Sequence, residues 1–214
     1  MSQYMFELQN LFPGSETELR SQFESALPYP HAVLPNAMNI EFVQQLFDAL
    51  NALPFRWLRV KEAFYEHEVC NLLTVASIFG GVFNDLVQTL QEPTLVTRLC
   101  NFVGSPPATL VSLTGHRLYD GDKIGTHSDQ NPFGETFRLL LFPDPKPQFS
   151  GGVLLLQEQI EGKMITRSQV SYLPFQVYLF RFSPHSHHAV TPVQAHNTGA
   201  NRLTILATYG TQSV

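Results

Sequence analysis

The chain has 214 residues, 43% of them apolar and only 14% charged, which is the composition of a folded globule rather than of a disordered tract. A formal charge of -5 with a pI near 5.9 argues against a phosphate-backbone partner, because nucleic-acid binders cluster Lys and Arg. The N-terminus has no charged segment followed by an apolar one, and no apolar run is long enough to span a bilayer, so a cytoplasmic protein without membrane contact is expected.

The first half reads mostly helical. Ser15-Glu-Thr-Glu18 carries a cap signature, and Asn39 precedes Ile40, Val43, Phe47 and Leu50 at helical spacing. His31–Leu34 reads as a short strand between them, and a further helical stretch is predicted from Val69 to about Leu90. Pro93 opens another helix with Leu95, Val96, Leu99 and Phe102, which Gly104 and two prolines stop. Cys70 and Cys100 lack a paired metal-ligand spacing and read as buried thiols.

From Ala108 the texture changes to short β-rich runs separated by Gly, Pro, Asn and Asp, as in an antiparallel sandwich or barrel. Strands are predicted near 109–119, 123–129, 136–142, 152–157, 163–166, 169–173, 176–182, 187–193 and 202–209, with Glu161-Gly162 as a hairpin turn. No internal repeat or low-complexity linker divides the chain. One domain over 1–214 is therefore expected, with helical support over 1–107 packed on a β core over 108–214.

His127-Ser-Asp129 puts an imidazole and a carboxylate on one face of a strand, since residues i and i+2 project together. Taken alone, such a pair also fits a simple hydrogen bond on a strand end. A second histidine group, His185-Ser-His187-His188, lies far along the chain, and two imidazoles with one carboxylate leave half an octahedron open, as non-haem Fe(II) sites do. Arg202 and Thr204 share a face of the last strand, where a buried guanidinium offers a fork for a carboxylate. Gly151-Gly152 permits a tight turn or a close backbone approach.

In order, Tyr119, Gly121-Asp122, His127-Ser-Asp129, Arg138-Leu-Leu-Leu, Gly151-Gly152-Val-Leu-Leu-Leu, Val177-Tyr-Leu-Phe180, His188-Ala-Val190-Thr-Pro-Val193 and Arg202-Leu-Thr204 resemble the 2-oxoglutarate and Fe(II)-dependent oxygenases, in their prolyl-4-hydroxylase-like branch. The match covers about 108–210, and Tyr29-Pro-His-Ala-Val-Leu-Pro35 resembles the family's usual opening segment. The resemblance implies a double-stranded β-helix of jelly-roll or cupin-like type with a helical N-terminal support (α+β). It implies catalytic iron on His127, Asp129 and His188, with 2-oxoglutarate on Arg202 and support from Thr204 or Tyr119. His188 is preferred to His187 because it alone fits His-x-Val-x-x-Val; His185 and His187 are read as rim residues. The stretch from His188 to Arg202 is longer than the family's usual one, the excess falling in Gln194–Ala200, so Arg138 is a second candidate anchor, or a contact for a substrate carboxylate.

The family's chemistry implies O2 as co-substrate, Fe(II) and 2-oxoglutarate as cofactors with ascorbate as an auxiliary reductant, and succinate and CO2 as products. Related halogenases replace the metal carboxylate with Gly or Ala, so Asp129 predicts hydroxylation rather than chlorination, while desaturation, epoxidation and ring formation stay open. A small amino-acid-like molecule ranks ahead of a peptide or protein side chain as substrate. Two other readings are a cupin-type metal enzyme, for which the expected further histidine is absent, and a silent barrel used for binding. Phe133, Phe137, Phe142, Tyr172 and Tyr178 are candidates for shaping the pocket, most of them as core residues.

Overall fold

The structure is a computed structural model that describes residues 5–53, 57–61, 65–129 and 134–211. In chain order its first half contains α1 (Leu8–Leu11), α2 (Glu16–Ser25), β1 (His31–Leu34), α3 (Ile40–Asn51), β2 (Leu58–Lys61), β3 (Glu66–Asn71), α4 (Leu72–Phe79), α5 (Val82–Leu90) and α6 (Pro93–Val103). There follow β4 (Thr109–Leu118), β5 (Ile124–Ser128), β6 (Glu135–Leu141), β7 (Phe149–Gly151) and β8 (Leu154–Ile160). The chain closes with β9 (Lys163–Val170), β10 (Val177–Arg181), β11 (His187–Val190), β12 (Val193–Ala195) and β13 (Arg202–Gly210).

Four of the helices, α2, α3, α4 and α6, begin where a side chain can satisfy their first backbone N–H groups. The Asn39 side chain accepts from Phe42 N at 3.1 Å, and Glu92 accepts from Thr94 N and Leu95 N at the start of α6, with Pro93 behind it. Gly104, at φ 66°, ends α6 in the left-handed conformation that glycine adopts freely.

A seven-stranded antiparallel sheet runs in the order β1-β10-β6-β13-β4-β3-β2, and a four-stranded sheet runs β5-β11-β8-β9. The central strands of the large sheet are buried on both faces. Leu139, Leu141, Val177, Leu179, Leu203, Ile205, Ala207 and Tyr209 point outward into a core shared with the helices. Their alternates Leu140, Tyr178 and Phe180 point inward, against Leu154, Leu156 and Val190 of the small sheet. Tyr209 fastens the outer layer, donating from its hydroxyl to the Leu90 carbonyl at 2.7 Å. The expected double-stranded β-helix with helical support is therefore present, as two facing sheets that do not close into a barrel.

Three element expectations are corrected. The helix predicted from Val69 starts at Leu72, because Glu66–Asn71 is a strand paired with both β2 and β4, and Gly80 divides the rest into α4 and α5. The two strands predicted near 163–166 and 169–173 are one, β9, whose pairing with β8 skips Arg167, Leu156 standing opposite Ser168 and Gln157 opposite Thr166. The strand predicted near 187–193 is interrupted before Pro192, and its end, β12, turns aside to pair with β7 as a separate ribbon. The Glu161-Gly162 hairpin is present, both residues having positive φ.

Candidate metal centre and its cavity

Antiparallel pairing sets His188 on β11 directly opposite His127 on β5, so both side chains leave the same face of the small sheet. Their ring centroids lie 4.3 Å apart. Asp129, one residue beyond β5, places Oδ2 3.3 Å from His188 Nε2 and Oδ1 3.6 Å from His127 Nε2. The ligand atoms of all three residues lie within 4.8 Å of one another, a set that could hold a metal ion.

Each imidazole is oriented by its own strand. His127 Nδ1 donates to the Gly125 carbonyl at 2.9 Å and His188 Nδ1 to the Ser186 carbonyl at 3.0 Å, which turns Nε2 of each ring toward Asp129. Burial, reinforced by the neighbouring His188, pulls His127 down to a pKa of about 4, so it is neutral and able to ligate at pH 7. Burial alone would raise the Asp129 carboxyl. The His188 ring and the Arg138 guanidinium outweigh it and hold the group ionised, well below the usual carboxylate range. Arg138 donates to Asp129 Oδ2 at 2.6 Å and, through Nε, to the Thr208 hydroxyl at 2.8 Å.

The triad opens on a cavity of about 340 Å³ whose other wall is the inner face of the large sheet. On that wall β13 contributes Arg202, Thr204 and Leu206, β4 contributes Ser112, Thr114 and His116, and β6 contributes Arg138 and Leu140. Arg202 is 2% exposed, with Nε donating to the Gly152 carbonyl at 2.8 Å and a terminal nitrogen to the Thr204 hydroxyl at 2.6 Å. Burial lowers its pKa to about 10, which still leaves a full positive charge at neutral pH. Among the described residues no carboxylate pairs with it, and a buried guanidinium is suited to a ligand carboxylate.

The excess loop before Arg202 is absorbed by the ribbon of β12 on β7, and that ribbon sets Gly152 against the Arg202 stem. Thus the structure brings His127, Asp129, His188, Arg138, Arg202 and Thr204 to one cavity. It does not bring Tyr119 there: that residue follows β4 on the opposite parity from Ser112, Thr114 and His116, and its hydroxyl lies 3.4 Å from Glu68 Oε2. His185 is exposed, and neither it nor His187 lines the cavity. Phe142, Tyr172 and Tyr178 pack in the inner core without lining it, Phe137 points outward into the core shared with the helices, and Phe133 lies outside the described residues.

Sequence reasoning missed Tyr65, His67 and His116. The His67 and His116 rings stack at 4.8 Å and 16°, and Tyr65 meets the His127 ring edge-on at 5.1 Å. The signal for His116 was present, since Ser112, Thr114 and His116 form a polar alternation within an apolar strand. His67 lies just before the helix predicted from Val69, in a stretch without a predicted element.

No family model and no curated protein matches the sequence. The fold, in contrast, is shared with solved structures. A 2OG-Fe(II) oxygenase family oxidoreductase from Burkholderia pseudomallei aligns over 92% of this chain and 91% of its own, at a TM-score of 0.67 and 16% identity. A Pseudomonas putida prolyl-4-hydroxylase aligns over 93% and 100%, with a TM-score of 0.63 and 13% identity. The alpha-ketoglutarate-dependent epimerase SnoN from nogalamycin biosynthesis aligns over 92% and 84%, with a TM-score of 0.65 and 13% identity. At these identities the likeness is one of fold.

Proposed function

We propose that this chain is a non-haem Fe(II) and 2-oxoglutarate-dependent dioxygenase that hydroxylates a C–H bond of a small amino-acid-like substrate. The observation that carries the reading is one cavity with a two-imidazole, one-carboxylate set on one wall and, on the other, a buried guanidinium with no carboxylate partner among the described residues. That donor set suits iron with open positions better than zinc, which favours a closed tetrahedral shell or a third nitrogen or sulfur. Silent binding barrels have no need of three converging ligands.

His127, Asp129 and His188 would hold the metal, and Arg202 with the Thr204 hydroxyl would hold the distal carboxylate of 2-oxoglutarate, with His116 across from Thr204 in the strand register. Iron with 2-oxoglutarate and O2 supplies the oxidising chemistry when bound, releasing succinate and CO2. The chain's own contribution is orientation and exclusion of water. Arg138 keeps Asp129 ionised and fixed, the backbone carbonyls of Gly125 and Ser186 fix the imidazole tautomers, and Leu140, Leu154, Val190 and Leu206 line the space between as apolar walls. A volume of about 340 Å³ is at the small end of the range for ligand sites and suits a small molecule.

The test is to add Fe(II) and then 2-oxoglutarate to metal-free protein without oxygen and to record the visible charge-transfer band of a chelated keto acid. The band is expected in the unmodified protein and absent in His188→Ala. No band in either protein would refute the proposal.

A further inference from the structure

The two imidazoles of the candidate metal centre are each met by an aromatic ring of the large sheet. Phe180 of β10 meets His188 edge-on at 5.4 Å, and Tyr65 meets His127 in the same way at 5.1 Å, with 71° between the ring planes. Edge-to-face contact is an arrangement that aromatic rings prefer, and it favours one angle between them. The two supporting rings differ in their place in the fold. Phe180 is buried in the inner core, whereas Tyr65 stands just before β3, on the part of the large sheet that lies beyond β4.

Tyr65 is tied to the very strand whose histidine it touches. Its backbone forms an isolated antiparallel bridge with Ile124, and the Glu66 N–H donates to the Lys123 carbonyl at 3.1 Å. The edge of β5 is thereby stitched to the start of β3, three residues before His127. Within its own strand the His127 ring is held at one point, by the bond from Nδ1 to the Gly125 carbonyl. One hydrogen bond fixes a point of a ring but not its tilt. The tilt is set by the rings packed against it, His188 at 4.3 Å and Tyr65. His188 belongs to the candidate centre itself, so Tyr65 is the support that comes from outside it.

We propose, resting on the metal assignment made above, that Tyr65 is a positioning residue for the metal: its ring, fastened to β5 by the Ile124 bridge, holds the His127 imidazole with Nε2 turned toward Asp129. The contact uses the aromatic ring and not the phenol hydroxyl. Without the ring, His127 gains freedom that metal binding must then remove, and supports of this kind are worth about ten- to hundred-fold in metal affinity.

The test titrates Co(II) into the full, metal-free chain and follows its visible d–d absorption, which reports coordination geometry as well as occupancy. Tyr65→Leu should weaken Co(II) binding about ten- to hundred-fold and change the shape of the band, whereas Tyr65→Phe should keep the shape and an affinity within about two-fold. Thermal unfolding of the metal-free variants is measured alongside. A merely structural role would lower the unfolding temperature of Tyr65→Leu and leave its Co(II) affinity and band unchanged, and that result would overturn the proposal, as would a Tyr65→Phe protein that binds as weakly as Tyr65→Leu. If Tyr65→Leu fails to fold, the unmodified protein still decides. Its Tyr65 ring protons, identified by comparison with Tyr65→Phe, should be displaced in the NMR spectrum by paramagnetic Co(II), and ring signals left in place by a saturating amount would overturn the proposal. The parent reading has its own control in His188→Ala. Stoichiometric Co(II) binding that this variant loses keeps the metal assignment whatever the Tyr65 variants do, and an unmodified protein without such binding removes both.

Discussion

Gly152→Ala tests the assignment of Arg202 without replacing any charged group. Gly152 sits at φ +58°, and an added Cβ would stand 2.5 Å from Arg202 Cδ and 3.1 Å from its Nε. Carbon atoms pack comfortably at roughly 3.5–4.0 Å, so the arginine stem must retreat by about 1 Å. That retreat strains the bond from Nε to the Gly152 carbonyl and draws the guanidinium from Thr204. A misplaced charge-assisted bond costs about 1.5–3 kcal/mol. At about 1.4 kcal/mol per decade, 2-oxoglutarate should bind roughly 10- to 150-fold more weakly. The left-handed backbone adds a stability cost of about 1–2 kcal/mol that has nothing to do with the arginine. Gly162→Ala isolates that cost, since Gly162 has φ +78° and open space around it. Calorimetric titration of the metal-loaded proteins with 2-oxoglutarate, beside thermal unfolding, separates the two effects. A folded Gly152→Ala protein that binds 2-oxoglutarate within two-fold of the unmodified protein would refute the role given to Arg202.

Asp129→Ala should abolish both stoichiometric metal binding and hydroxylation, and by stranding Arg138 should cost about 3 kcal/mol in the metal-free protein; retention of full activity would sink the metal assignment. His116 is held down to a pKa of about 3 by burial, with the charge on His67 a lesser cause. The unfolded state therefore binds more protons between pH 6.5 and about 3, so stability falls on acidification across that window, by up to about 1.4 kcal/mol per pH unit from this group. His116→Gln should flatten the slope in urea titrations run at successive pH values. Tyr209→Phe leaves the Leu90 carbonyl without its 2.7 Å partner and should destabilise by about 1–2 kcal/mol, read as a shift in the urea midpoint with unchanged slope.

The β half was legible because turn residues punctuate it and because the motif residues lie on strands whose alternation fixes their facing. His127 and Asp129 needed only period two, and His188 only its distance from Val190 and Val193. β3 was not legible. Its neighbours on both sides and its burial at His67 and Cys70 remove the clean alternation that marks a half-exposed strand, and the apolar run from Leu72 then captures it for the helix. Tyr119 shows a different limit. A motif gives order along the chain, whereas entry into a cavity depends on parity within a strand, and one residue of offset exchanges the two faces. The row of Ser112, Thr208 and Arg138 was beyond reach for a related reason: its members meet only once the register of three strands is known.

The candidate metal ligands belong to the small sheet and its edge, whereas both arginines stand on the large one. A molecule gripped by the metal at one end and by Arg202 at the other would bolt the two layers together, which a metal alone would not. Ligand occupancy then becomes a mechanical property, with a gain of about 2.7 kcal/mol at a hundred-fold excess over the dissociation constant. The gap between the layers also acts as a ruler. A keto diacid one methylene shorter or longer than 2-oxoglutarate can satisfy one sheet or the other, but it cannot brace both without moving them apart or together.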